Sequence, residues 1–445
     1  MANITFGIVL SGYVLLAVLS ACLAQETASR PRPPEELSYL DNGTIRIAVD
    51  LNLGGVITYL SQSPAGMNII NSHDWGRQIQ QSYYSGPDPF GQAHPGWKNW
   101  PWNPIGTGDV YGNPAKLLAR QNDGKTLYVK SIPMHWALNN VPGECTFETW
   151  IGLEGKAAHV RCRLTNARPD HNQYPAKMQE LPAVYTTGKL YKLMTYDGEA
   201  PFSSGPTRQV HKTGPSWSYW RATENWAALV NDDDWGLGVF HPGVFSFCGG
   251  FYGQPNTGGP KDNPTGYISP YRLDILDHNI VYEYSYVLIL GSLDEIRQWV
   301  YAHHQECPPD YVFAKDRQHC FYKDASDAGW PLEGKLSIIP NGPSAAILGP
   351  ETFFAAKDVP RLYVRLAYPA GPSKARLAWR KSGSTDFVEG IVFNVTPDGR
   401  FHTYELDLSA SPDWQGNITQ LRLDLLNAAA GDRVEVAYIS HRKRD

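Results

Sequence analysis

Apolar residues recur at every second position in run after run of this chain, and that period leaves almost no room for helices. In TIRIAVDL, Ile45, Ile47 and Val49 fall on one parity; near the other end Leu421, Leu423 and Leu425 do the same, with Arg422 and Asp424 between them. Successive side chains of a strand point to opposite faces, so this alternation marks sheets with one face buried. The same period runs through TLYVKSIPMHWAL, TFETWIGL, AHVRCRLTNA, NWAALVND, GLGVFHP and YEYSYVLILG, and later through RLYVRLAYP, ARLAWRKS, FHTYELDLS and RVEVAYIS, with Gly, Pro and Asp turns between them. Only SLDEIRQWVYAHHQE, Ser292–Glu306, keeps a helical spacing. There Ser292 and Glu295 form a capping box, and Ile296, Trp299 and Val300 share one face. The class is therefore all-β, with a large antiparallel sandwich followed by a smaller, jelly-roll-like one.

With 445 residues the chain has room for two or three domains. The expected divisions are an apolar leader at 1–24, a polar, proline-rich tether at 25–36, the larger unit at 37–323, a linker at 324–335 and the smaller sandwich at 336–445. The apolar run from Phe6 to Ala24 reads as a secretory signal, although it lacks an early Lys or Arg and is nearly long enough for an uncleaved anchor. LSAC, Leu19–Cys22, looks like a lipoprotein box that would lipidate Cys22 and tether the protein to an outer membrane or cell surface. CLA, just before Gln25, offers a signal-peptidase site instead. Either reading predicts export to the periplasm, the cell surface or the medium. Five further cysteines, Cys145, Cys162, Cys248, Cys307 and Cys320, fit no zinc or redox spacing. Cys145 and Cys162 flank a hairpin turning near Gly155 and are candidates to face each other. Asn42, Asn394 and Asn417 open glycosylation sequons, relevant only in a glycosylating host.

One stretch breaks the pattern. GRQIQQSYYSGPDPFGQAHPGWKNWPWNPIGTGD, Gly76 to Asp109, gathers Tyr83, Tyr84, Trp97, Trp100 and Trp102 among amides and five prolines, with neither a strand nor a helix period. It reads as a long, proline-stiffened loop. A pyranose has an apolar face of C–H bonds and a rim of hydroxyls, which rings cover and Arg, Asn and Gln side chains bond. Arg77, Gln78, Gln81, Tyr83, Tyr84, Trp97, Trp100, Trp102 and Asn103 form such a set. The structural alternative is that the rings plug the end of a sandwich. The mild net charge of −5 shows no basic stripe for nucleic acid, so a glycan partner is expected, neutral or weakly charged.

The cadence IAVDLNLGGVITYLS…NIINSHDWGRQIQQSYYSG, with its Gly54–Gly55 turn, resembles the galactose-mutarotase-like β-supersandwich of aldose epimerases and of domains in many carbohydrate-active enzymes. The resemblance covers roughly residues 37 to 309 and implies a long meander whose concave sheet face holds sugar. The C-terminal stretch DGRFHTYELDLSASPDWQGNITQLRLDLLNAAAGDRVEVAYI is similar to the sandwich modules appended to secreted bacterial polysaccharide-degrading enzymes. These likenesses imply a secreted carbohydrate-active enzyme, with glycosidic-bond hydrolysis as the leading reaction, a lyase or epimerase on the same fold as the alternative, and a non-catalytic glycan-binding protein as the further alternative.

Glu180, in MQELPAVYTTG, stands directly before an apolar run and suits a general acid if it points into a ring-lined cleft. Asp109 is the expected second carboxylate, with Asp74 and Glu224 as weaker rivals. Hydrolysis needs two carboxyl groups, about 5–5.5 Å apart for retention and wider for inversion. His94 is the candidate histidine; with Arg77 and Tyr84 it would serve an elimination, in which a base removes a proton and a cation calms the uronate. No GxSxG elbow, P-loop, His-Glu-x-x-His or dinucleotide fingerprint occurs. NDDDWG, Asn231–Gly236, reads as a solvated turn, and the adjacent His303 and His304 are badly spaced for a shared metal, so neither metal nor cofactor is expected.

Overall fold

The computed structural model describes residues 31–212, 214, 216–369 and 374–444. The leader, Cys22 and the first half of the tether lie outside these residues. What is described is built from four antiparallel sheets and one α-helix, Leu293–His303.

The first sheet runs from edge to edge through Leu37–Asp41, Ile45–Asp50, Val56–Gln62, Ile79–Ser82, Lys177–Thr187, Thr265–Asp274, Ser246–Tyr252 and Ser218–Arg221, with Pro104–Ile105 beside Ile79–Ser82 and Met134–His135 beside that short strand in turn. The second carries the hairpin Cys145–Glu154 and Ala157–Asn166 next to the long strand Val281–Ser292. Their alternating apolar positions meet in one core, with Ile47 and Val49 from one side and Val129, Phe147, Val160 and Leu288 from the other. Gly54 and Gly55 are required at the turn between the second and third strands. Both have positive φ, and a Cβ on Gly54 would stand 2.5 Å from the Gly106 carbonyl. The helix starts at the expected capping box and buries Ile296 and Val300 against the outer face of the second sheet.

The structure departs from the sequence reading in three places. The aromatic stretch is not loop throughout, because Ile79–Ser82 enters the first sheet between Val56–Gln62 and Lys177–Thr187. Cys145 lies opposite Asn166 and Cys162 opposite Thr149, so the hairpin keeps these cysteines apart; all five described cysteines are free. The last two sheets also begin earlier than residue 336. Asp310–Val312 pairs with the final strand Val434–Ser440, while Phe321–Lys323 and Ala325–Asp327 pair with Ala346–Leu348 and Leu336–Pro340. Residues 310–327, placed by sequence in the larger unit and the linker, thus belong to the C-terminal sheets.

A buried cluster ties the two sandwiches together. Arg317 bonds Asp327 through two nitrogens at 2.6 and 2.7 Å and reaches Asp277, at the end of the first sheet, at 2.6 Å. Gln173 and Tyr322 donate to the same Asp327 carboxylate, each at 2.6 Å. Burial alone would raise the Asp327 carboxyl, but the bonds and charge of Arg317 outweigh it and hold the group below its ordinary range.

Candidate functional site

Strand Lys177–Thr187 carries one extra residue between Glu180 and Val184 relative to its neighbours. Leu181 and Val184 therefore both face the inter-sheet core although they are three apart, while Ala183 and Tyr185 join a separate cluster on the other face. Glu180 is turned to that outer face, and the bulge sets it beside two phenols.

Glu180 is 7% exposed. Its Oε2 accepts from Tyr84 Oη at 3.0 Å, and its Oε1 accepts a short bond from Tyr267 Oη. Burial, then the Glu180 charge, pushes the Tyr84 phenol well above its usual range; burial, then Cys248 and Glu180, does the same for Tyr267. Both phenols are thus held protonated, as donors to the carboxylate. The Tyr267 ring lies 4.6 Å from that of Tyr185 and 5.1 Å from that of Trp217.

On the other side a row of rings leads away from Tyr84. Tyr84 meets Trp100 edge to face at 6.1 Å, Trp100 meets Trp97 at 4.7 Å, and Trp97 meets Trp136 at 5.5 Å. Trp97, Trp100 and Trp136 are all part-exposed. Asn103 fixes the row, accepting from Trp100 Nε1 at 2.9 Å while its amide donates to the Tyr83 carbonyl at 2.8 Å. The outer face of the first sheet is therefore a polar point, Glu180, at the end of an aromatic track.

The expected site residues divide sharply. Tyr84, Trp97 and Trp100 come together with Glu180, and Asn103 supports them. Tyr83 points the other way, packing edge to face on Phe147 at 5.1 Å in the inter-sheet core, with its hydroxyl on Gln81. Gln81 spends its amide on the Glu148 carbonyl and the Thr149 hydroxyl. Trp102 is wholly buried, bonded to Glu144 and covered by Arg168. Arg77 is buried and held by Asp74 and Asn263, and Gln78, at φ 82°, braces the loop through Ser72, Asp74 and Thr107. For these five the structural alternative describes what they touch.

Asp109 is corrected in the same way. Its Oδ1 accepts the backbone N–H groups of Tyr111 and Asn113, and its Oδ2 accepts the Asn113 amide and the Asn140 N–H. Both oxygens are committed to the loop's own framework. His94 caps the short 3₁₀ turn Pro95–Trp97, its Nδ1 accepting from Gly96, with its ring against Tyr111. Glu224 is fully buried and takes bonds from Arg297, Tyr301, Trp226 and Phe202. Asp74, by contrast, keeps 40% of its side chain exposed.

Sequence reasoning missed Tyr267, Tyr185, Trp217, Tyr271 and Trp136. A signal was present: in TGYISPYRLD, Tyr267 and Tyr271 share a parity opposite to the core residue Ile268. Aromatic rings on the face away from the core mark a second buried or binding surface.

No protein-family profile matches the chain, and no curated protein matches it. Among solved structures it is similar to a galactose mutarotase-like protein from Lactobacillus casei, at 11% identity over 57% of this chain and 100% of that one, with a TM-score of 0.37. It is likewise similar to a galactose mutarotase-like protein from Clostridium acetobutylicum, at 8% identity over 59% of this chain and 96% of that one, with a TM-score of 0.36. A third likeness is to a 4-alpha-glucanotransferase from Thermococcus litoralis, at 12% identity over 59% of this chain and 40% of that one, with a TM-score of 0.33. With every score below 0.5, these likenesses lend no weight to a reaction, and the all-β sandwich fold stands on the sheets themselves.

Proposed function

We propose that this chain is a carbohydrate-active enzyme whose glycan lies along the outer face of the first sheet, with Glu180 as the proton-transfer group. The observation that carries the reading is the Glu180 carboxylate held between Tyr84 and Tyr267 at the end of the Trp136–Trp97–Trp100 row. Part-exposed rings in line suit the apolar faces of successive sugars. Two phenol donors fix the carboxylate's direction before a substrate arrives, the preorganisation that acid–base catalysis needs.

Among the described residues no second carboxylate bonds into the Glu180–Tyr84–Tyr267 group, and Asp109 is tied into its loop. That favours one-carboxylate chemistry, elimination or epimerisation, over the two-carboxylate hydrolysis expected from sequence. In elimination Glu180 takes a proton from a sugar carbon and a neighbouring phenol gives one to the departing oxygen; in epimerisation Glu180 takes the anomeric hydroxyl proton while a phenol gives one to the ring oxygen, whose bond to the anomeric carbon breaks and then re-forms on the other face. The second reading, a non-catalytic glycan-binding protein, is favoured by the burial of Glu180, which leaves only an edge of the carboxylate to a ligand. Export, expected from the leader, belongs to the same proposal.

The test is product analysis on a glycan panel, reading new reducing ends and the ultraviolet absorbance of an unsaturated uronate. Absorbance that disappears in Glu180→Gln supports elimination, and reducing ends without absorbance restore hydrolysis. Retarded migration in a glycan gel without any product leaves the binding protein.

A further inference from the structure

The net charge of −5 conceals a local excess of the opposite sign. Glu180 lies directly across from Tyr271, Tyr271 from Ser246, and Ser246 from Arg221, so the four share one row and one face of the first sheet. At about 4.8 Å per strand, Arg221 stands roughly 14 Å from Glu180. There the C-terminal sandwich arrives. Arg221 Nη2 holds one oxygen of Glu351 at 2.6 Å, and Arg380 Nη1 holds the other at 3.0 Å.

The pattern then repeats. Arg380 and Arg422 both lie over the Phe387 ring, at 4.7 and 4.5 Å. Arg422 and Arg376 share Asp424, each at 2.7 Å. Strand register puts Arg376 and Arg380 on one face of Lys374–Lys381, opposite Asp424 and Gln420. Each carboxylate thus serves two guanidiniums, and four positive charges meet two negative ones. Asp386 and Glu389 flank Phe387 but are exposed, and among the described residues neither pairs with the stripe.

The Arg221, Arg380, Arg422 and Arg376 side chains keep 27, 22, 19 and 29% of their surface exposed, so each has an edge open to a ligand. A guanidinium fork does match a carboxylate or sulfate, and an accessible ring between forks gives a sugar a surface to lie on. We propose that the glycan is polyanionic, and that beyond the Glu180 face it crosses onto the C-terminal sandwich, where Arg221, Arg380, Arg422 and Arg376 take its anionic groups beside Phe387. This rests on the glycan reading of the Glu180 face and adds to it the substrate class and the role of the second sandwich.

The test uses the whole chain carrying Glu180→Gln, so that no probe is consumed, with binding followed by calorimetry at low and physiological salt. The probes are an oligogalacturonate and its methyl-esterified form, and a sulfated oligosaccharide and its desulfated form; the two arms separate uronate from sulfate recognition. The expected result is at least about tenfold tighter binding of one anionic probe than of its neutral counterpart, weakening with salt. That preference is expected to vanish when Arg380→Gln and Arg422→Gln are added, with folding checked by the melting temperature. If the double substitution fails to fold, Arg422→Gln alone is read in the same way. Equal binding of charged and neutral forms, or a preference that survives the substitutions, overturns the proposal. No binding of any probe instead removes the glycan reading on which it rests.

Discussion

Tyr84 and Glu180, 96 residues apart in sequence, are joined by a 3.0 Å hydrogen bond on the outer face of the first sheet. The strand bearing Glu180 pairs directly with Ile79–Ser82, just before Tyr84, so the aromatic stretch is stitched to the carboxylate by backbone as well as by side chain. Replacing Glu180 by Gln keeps the shape and removes the base. Activity is expected to fall by about 10²–10⁴-fold with the melting temperature little changed, measured as initial rates on the responsive glycan. A loss below tenfold would move the proton-transfer role elsewhere.

Trp100 and Trp102 are two residues apart and predict opposite phenotypes. Trp100→Ala removes a part-exposed ring of the track, so glycan affinity is expected to drop by about two- to tenfold with stability nearly intact. Trp102→Ala empties a fully buried site and is expected to destabilise the fold by about 3–5 kcal/mol. Calorimetric titration and urea unfolding separate the two effects.

Asp109→Ala leaves four donors of its loop without their acceptor. The expected outcome is a loss of about 3 kcal/mol in urea unfolding, with turnover of the folded fraction preserved. A collapse of turnover at unchanged stability would return Asp109 to the chemistry.

Gly54→Ala combines a left-handed backbone with a Cβ 2.5 Å from the Gly106 carbonyl and 2.7 Å from the Ala115 side chain. Neither neighbour is the free end of a flexible chain. Destabilisation of at least about 2 kcal/mol is expected, read as a lowered unfolding midpoint.

The Asp327 carboxyl is held below its ordinary value of 3.8. A folded-state value below the unfolded one means the stabilisation is fully present above pH 3.8 and drains away as pH falls toward the folded value. The melting temperature should therefore decline below about pH 4, and Asp327→Asn should flatten that acid limb while lowering the plateau. An unchanged acid limb in the variant would remove the Arg317–Asp327 pair from the explanation.

The sheets were legible because period two survives in nearly every strand, and the helix because Ser292 and Glu295 are local signals. The site was only half legible. Tyr83 and Tyr84 are neighbours with the same chemistry, yet one fills the inter-sheet core and the other bonds Glu180. Which parity faces out depends on pairing with a strand nearly a hundred residues away and on its single-residue bulge. The roles of Gln78, Gln81 and Asp109 were hidden for a related reason: a buried amide or carboxylate is spent on whatever backbone the fold brings to it, and composition does not name that backbone.

Asp310–Val312 lies against the final strand, next to the residues that leave the helix. A segment excised at residue 336 would lose that strand together with Phe321–Lys323 and Ala325–Asp327, one from each C-terminal sheet, so the second sandwich is left incomplete by cutting where its sequence looks self-contained. The joint that leaves every strand with its own sheet lies before Asp310, just after the helix, so the seam of the molecule falls about 25 residues ahead of the place where the sequence changes character.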